Sequence, residues 1–551
     1  VIRDFSDGAI GGDHDVCIVG SGPVGLATAL ACAAGGLRVL VLEAGGAVPS
    51  DDARAFAGGV LTPGAAHAPL DDAACRALGG TSHWWGGRCI PFDPVDFRHR
   101  PNEAGARWPI GHQDVAPWHG EAAAFFGCGP AAFCLPAAFP ALRDLRCDQV
   151  ERWCPVPNMA AVHGAKLRAA DNLTVVTGAT VVDLEIAGEP AAVTGVVVAG
   201  AGRRQRVPAP RVVLACGGVQ TCRLLLTVQR RLPHRFGGAG GPLGRYYMGH
   251  VAGKVADIRL RRPESFAQLD FFLDGGAYVR RRFTLPERVL VENDLPNISF
   301  ALGNPRIADP RHGSGVLSLL WTALASPLGR RVLPDALRAL YVGPPPHRHA
   351  AHLRNMLLHI PSTAAGGIRV LRDKRFGRPR KPATIFPNKA GLYALYFHAE
   401  QSACAENRIV LSGAADALGM PLPAVAFRYA AADAARIGRA HDILALALAD
   451  SGIGRLICHD ADMATSILRQ ASDGLHQIGG ARMSTRPGDG VVDADCRVHD
   501  VTNLYVAGSS VFPTSGNANP TFLAVALALR LAEHLVRVPA ARAPSLALAG
   551  A

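Results

Sequence analysis

Asp15-Val-Cys-Ile-Val-Gly20-Ser-Gly22-Pro-Val-Gly25, with Leu26 to Ala34 and then Arg38-Val-Leu-Val-Leu-Glu43 behind it, decides how this chain begins to fold. The first run is short, apolar and rich in β-branched residues, which suits a buried strand. A glycine-rich turn, a helix from Leu26 to Ala34 and a second strand make a strand–helix–strand unit. Each glycine has its own task. Gly20 permits the tight turn, Gly22 lets the backbone approach a pyrophosphate, and Gly25 lets the helix pack closely on the strand. Unpaired N–H groups at the helix start attract an anion. Glu43 ends the second strand about twenty residues on, where an acid can bind a ribose diol. The unit predicts dinucleotide binding and does not by itself separate NAD from FAD.

The rest of the composition sets the frame. A chain of 551 residues exceeds one ordinary core, so two or more domains are expected. Lys and Arg outnumber Asp and Glu by 57 to 45, giving a formal net charge of +12. One short run, Arg369 to Lys381, holds much of that excess, and with Pro344-Pro-Pro-His-Arg-His-Ala it reads as loops or a lid edge that could also dock an electron-accepting partner. No nucleic-acid motif accompanies the charge, so a nucleic-acid partner is not expected. The 13 cysteines show no C-x-x-C spacing and fit a reducing, cytoplasmic setting. The beginning, Val1-Ile-Arg-Asp-Phe-Ser-Asp-Gly8, lacks a signal-peptide pattern, and no apolar run is long enough to span a bilayer. Thr521 to Val536 reads as a buried helix with polar ends, and the end of the chain, 541–551, as a flexible tail.

Near the C-terminus, Asn503-Leu-Tyr-Val-Ala-Gly508-Ser509-Ser510 reads as a turn, a buried strand and a loop. Pro513-Thr-Ser-Gly-Asn-Ala-Asn519-Pro520-Thr521 then opens the long helix and offers backbone donors to a second part of a large cofactor. Three further segments complete a pattern: Leu78-Gly-Gly-Thr-Ser-His-Trp-Trp-Gly-Gly87, Val212-Val-Leu-Ala-Cys-Gly-Gly218 and His476-Gln-Ile-Gly-Gly-Ala-Arg-Met483. Together these segments resemble the glucose–methanol–choline oxidoreductase family.

The resemblance implies an α/β fold. A Rossmann-like FAD-binding domain, discontinuous over 1–256 and 457–540, would be joined by an α+β substrate-binding domain over 257–456 with a mostly antiparallel sheet. Gly20, Gly22, Pro23, Val24, Gly25, Glu43 and Ala44 would hold the ADP half of FAD. Gly79, Gly80, Thr81, Trp85 and Gly86 would run past the pyrophosphate and flavin. Val181, on a strand near Thr180 to Leu184, would lie beside the adenine. Gly508, Ser509, Asn519, Pro520 and Thr521 would close around the ribityl chain and flavin. Where some relatives carry a histidine bonded to the flavin, this chain has Trp84, with His83 one place earlier, so non-covalent FAD is expected. Trp84 and Trp85 can pack on the flavin or fill the core.

Alcohol oxidation needs a base for the hydroxyl proton and an acceptor for the carbinol hydride. The resemblance points to His476 as the base, to Asn519 as its partner at the reactive edge, and to flavin N5 as the hydride acceptor. Asn519 can also be read as a cap for the helix near Thr521. His250, His459 and His499 lie in turn-like segments without motif support, and Arg482 reads as a phosphate or fold anchor. No metal-binding motif or compact His/Cys/carboxylate cluster stands out, so no metal is expected. Asn293, Asp294 and Asn297 are polar groups of the middle region. The expected substrate is a sugar, polyol or hydroxylated metabolite, with oxygen or another electron acceptor as second partner. The alternatives are a sterol-like apolar alcohol, a flavin lyase or decarboxylase on the same fold, and a flavin-binding module without turnover.

Overall fold

The computed structural model describes residues 1–100, 107–139, 142–327, 329, 342–343, 345–387 and 389–538. The expected tail, 541–551, and Pro344 lie outside them. The opening unit forms as its sequence dictates. Val16–Val19 and Val39–Leu42 are adjacent parallel strands, fully buried on both faces, with the helix Pro23–Ala34 between them. The helix starts one turn earlier than Leu26, because Pro23 suits the first helical position with its fixed φ and missing N–H. Gly20 has φ +102°. A Cβ on Gly25 would run into the Gly20 carbonyl, so the helix and the turn touch backbone to backbone.

Four distant stretches complete this sheet. Its order is Ile2–Asp4, Leu173–Thr177, Val39–Leu42, Val16–Val19, Val212–Leu214 and Leu504–Val506, with every neighbouring pair parallel. The helix Thr521–Arg537, buried along most of its length, packs against Pro23–Ala34. At that contact a Cβ on Gly35 would meet the Val536 side chain. Each fully buried aliphatic side chain of this core contributes about 1.5–3 kcal/mol.

A second, five-stranded sheet is antiparallel: Phe283–Thr284, Ile298–Gly303, Leu392–Glu400, His250–Leu260 and Gly454–Cys458. Its own apolar core includes Phe283, Phe300, Leu395 and Phe397 on the strands and Ile437 and Leu444 from the helix Ala431–Asp450. The basic run is part helix and part loop: Gly377 to Lys381, around Arg378, is irregular as expected, and the part before it is helical. Arg369 to Leu371 finish the helix Ile360–Leu371, and a wider turn of helix, Arg372–Phe376, continues it. Before it, His349–Leu358 is a helix as well. Among the described residues no helix is long and apolar enough to cross a membrane.

Candidate active site

A cavity of about 510 Å³ opens where the parallel strands end. Its wall is made of residues that directly follow strands: Gly20 after Val19, Glu43 and Ala44 after Leu42, Ala215 to Gly218 after Leu214, and Ala507 to Ser509 after Val506. The carboxyl edge of a parallel sheet is the usual ligand crevice of such folds, since the loops there are free to diverge.

The sequence expectations map onto this wall closely. Gly20, Gly22, Pro23, Val24, Glu43 and Ala44 line one side. Gly80, Thr81, Trp85 and Gly86 line another, with Val181 nearby. Gly508, Ser509, Asn519, Pro520 and Thr521 close the far end beside His476. Gly25 and Gly79 correct the list, because neither reaches the cavity wall. Gly25 is spent on packing the helix, and Gly79, at φ +97°, turns the chain so that Gly80 can approach Gly22. A Cβ on Gly80 would sit 2.7 Å from the Gly22 Cα.

Observations on this wall fit a bound dinucleotide. Nothing lies within 4 Å of where a Gly22 Cβ would be, so backbone alone faces the cavity at the helix start. Glu43 is a buried carboxylate whose Oε2 accepts from the Ser21 N–H (2.9 Å) and Oγ (2.6 Å), and whose Oε1 accepts from the Gly45 N–H (2.8 Å). Burial pushes its carboxyl up, and those bonds oppose the rise. Arg76, which the sequence reading missed, lines the same end, and burial pushes it down to about 10.

At the other end the side chains are wired together. Asp473 Oδ1 accepts from the backbone N–H groups of Gly474 (2.8 Å), Leu475 (3.0 Å) and His476 (3.1 Å). Its Oδ2 accepts from the His250 backbone N–H (2.7 Å) and lies 3.0 Å from His476 Nδ1. Burial opposes ionisation of Asp473, yet His476 and His250 hold its carboxyl well below the usual range. A carboxylate only accepts, so His476 carries its proton on Nδ1 and leaves a lone pair on Nε2. Asn519 Nδ2 donates to that Nε2 across 2.7 Å. Asn519 Oδ1 is buried without a partner among the described residues, and the helix at Thr521 has no side-chain cap. The capping reading of Asn519 therefore falls away.

Two further imidazoles correct the expectation that no cluster exists. His250 opens a fully buried strand end and is not in a turn. Its ring lies 4.8 Å from that of His476 and 4.2 Å from that of His398. Burial lowers both His250 and His398, the latter far below its ordinary value with His250 adding to the effect. His250 Nε2 donates to the Ser515 carbonyl (3.1 Å) and His398 Nδ1 to the Asn517 carbonyl (2.7 Å), so both pin the loop that carries Asn519. Nitrogens of His250, His398 and His476 lie within 4.8 Å of one another. Nε2 of His250, Nδ1 of His398 and both ring nitrogens of His476 are already engaged in hydrogen bonds, which competes with metal ligation.

The remaining candidates lie elsewhere. His459 pairs with Asp257 (3.1 Å), and His499 bonds Ser484 Oγ (3.0 Å). Arg482 donates to the Asp489 carbonyl (2.8 Å) and covers the Tyr246 ring, so it holds the local fold. Asn297 joins Asp96 (2.8 Å) and Asn517 (2.6 Å), Asn293 bonds the Val289 carbonyl, and Asp294 faces Arg436 and Arg439. His83 Nε2 is bonded to the Leu78 carbonyl (2.9 Å) and is off the cavity wall. Trp85 lines the wall while its Nε1 donates to the Pro157 carbonyl (2.8 Å), and Trp84 stands at the wall 46% exposed.

A family model described as FAD dependent oxidoreductase matches residues 15–284, and one described as GMC oxidoreductase matches residues 404–528. The second match contains His476, Asn519 and the loop between them. The chain belongs to the GMC oxidoreductases. FAD is the cofactor of this family of oxidoreductases, and the wall from Gly20 to Ala44 holds the fingerprint for it. This GMC chain is also similar to the crystal structure of a pyridoxine 4-oxidase from Mesorbium loti, at 17% identity and a TM-score of 0.53, over 95% of this chain and 99% of that one. It is 45% identical over 62 residues to a C-glycoside 3-oxidase of Arthrobacter globiformis. That match spans 11% of this chain and 12% of the relative.

Proposed function

We propose that this GMC oxidoreductase oxidises a CH–OH group of a sugar, polyol or hydroxylated metabolite, with His476 as the base. One observation carries the reading: Asp473, His476 and Asn519 form a hydrogen-bonded line that ends at the wall of the cofactor cavity. Non-covalent FAD, when bound, supplies the hydride acceptor at N5. The chain's own residues handle the proton. Asp473 fixes the tautomer, so Nε2 of His476 takes the substrate hydroxyl proton, and the carboxylate stabilises the imidazolium that results. For Nε2 to take that proton, the Asn519 amide first turns its donor from Nε2 to the substrate oxygen, which frees the lone pair. His250 and His398 hold the Asn519 loop, which orients the amide.

The sugar reading gains support from the short stretch shared with an enzyme named for a C-glycoside. The tethered His83 side chain supports the non-covalent reading. A decarboxylase or a silent flavin module would need no base and amide at the cavity wall, whereas a lyase that splits a hydroxylated substrate would use such a base and leave the flavin oxidised. The test is anaerobic mixing of the holoenzyme with a panel of sugars, polyols, pyridoxine and sterols. Bleaching of the flavin by a sugar or polyol is the expected result. Bleaching by sterols alone moves the substrate to the apolar class, and no bleaching by any alcohol removes the proposal.

A further inference from the structure

The helical pair His349–Leu358 and Ile360–Leu371 is built inside out. A helix on a water-soluble surface turns its apolar stripe inward and its polar side outward. Here the inward residues of the first helix are His352 and Asn355. His352 stacks on Trp321, with ring centroids 3.9 Å apart, and its Nδ1 bonds Ser318 Oγ at 3.0 Å. Asn355 Nδ2 donates to the Pro310 carbonyl at 2.7 Å. The apolar residues face out: Leu353, Leu357 (61% exposed), Leu358, Ile360, Ile368 (69%) and Phe376 (71%). Leu353 and Leu357 stand one turn apart on the first helix, and Ile360, Ala364 and Ile368 stand one turn apart on the second, so each helix exposes an apolar side.

The same segment carries the chain's positive charge. Residues 345–381 hold nine Lys and Arg against one Asp, a surplus of eight out of the chain's total of +12. Two of the nine are committed to anchoring: Arg369 and Lys381 both pair with Asp270, at 2.8 and 3.0 Å. Arg348, Arg354, Arg378 and Arg380 are exposed, and Arg372, also exposed, pairs with Asp373 at 3.4 Å.

We propose that this helical pair is a peripheral docking surface for an anionic phospholipid bilayer. The aliphatic and aromatic side chains would enter the headgroup–acyl boundary, and the flanking arginines would meet lipid phosphates. Both signals are required for stable peripheral attachment, since either alone gives marginal binding. An acidic protein would satisfy the arginines and leave the leucines and isoleucines in water. A second copy of this chain would bury the apolar residues while opposing two surfaces of the same positive sign. An anionic bilayer satisfies both features together.

The test is flotation of the FAD-loaded full chain with vesicles of phosphatidylcholine alone or mixed with phosphatidylglycerol. Binding is expected only to the anionic vesicles. The pair Leu357→Asp with Ile368→Asp, and the pair Arg378→Glu with Arg380→Glu, are each expected to weaken binding about tenfold or more. Leu446→Asp, at an equally exposed leucine on another helix (66%), is expected to change nothing. Unchanged flavin absorbance and melting temperature show that the variants are folded. Binding that survives the Asp pair and disappears with salt would be simple electrostatic adsorption and would overturn the proposal. So would no binding to anionic vesicles, or a concentration-dependent dimer that the Asp pair dissolves.

Discussion

The two ends of the cavity are made of different material. At the nucleotide end, Gly20, Gly22 and Gly80 present backbone, and the buried Glu43 carboxylate is held by Ser21 and Gly45. At the reactive end, Asp473, His476 and Asn519 present side chains, and backbone serves only to hold them. The first end recognises a ligand by close approach, so it is intolerant of added volume. In the proposed mechanism the second end moves a proton, so it would be intolerant of exchanged atoms even where volume is conserved.

Substitutions can break that contrast, beginning with the largest effect. Gly25→Val would drive a branched side chain into the Gly20 carbonyl, a backbone atom that cannot move aside. The expected outcome is purified protein without flavin absorbance. A yellow Gly25→Val protein would show that the helix contact is slack. At the reactive end, His476→Ala is expected to keep FAD and to slow flavin reduction roughly a hundredfold or more, the scale of a lost general base. Stopped-flow reduction at the parent rate would take His476 out of the mechanism.

Asp473→Asn sharpens the comparison, since it changes almost no volume. An amide in that place can donate to Nδ1 and move the histidine proton to Nε2, where no base remains. Flavin reduction is expected to fall about ten- to a hundredfold with FAD retained. The same substitution has a signature in stability. The folded carboxyl of Asp473 sits well below its ordinary value, so its stabilising contribution is present at neutral pH and is lost as pH falls through the acid range. The gap in melting temperature between Asp473→Asn and the parent should therefore be widest near neutrality and shrink below about pH 4. A gap that is constant with pH would mean that the carboxylate is not charged in the folded protein. The smallest effect is expected at His83→Ala, which should leave FAD content unchanged. Acid precipitation of either protein should release all yellow colour to the supernatant, and colour kept in the parent's pellet alone would identify His83 as a covalent link.

Much of the nucleotide end was legible in the sequence because its determinants are local. Val16 to Glu43 contains the strands, the helix and the glycines that shape one another, and the helix Thr521–Arg537 shows its own apolar periodicity. His476 and Asn519 were legible only through motif resemblance. The helical character of Arg369 to Phe376 was hidden by its charge, which resembles that of a loop.

What the sequence alone determined is therefore the strand–helix–strand opening with its glycines and the long C-terminal helix, since neighbours along the chain decide those conformations. The tertiary structure decided the rest of the reactive end. His250 and His398 come from two paired antiparallel strands and meet His476 through sheet register. Asp473 is kept an anion by His476 and His250, and is fixed in place by three backbone N–H groups of its own turn and one from a distant strand. Burial and convergence are properties of packing between remote segments, and no local pattern encodes them.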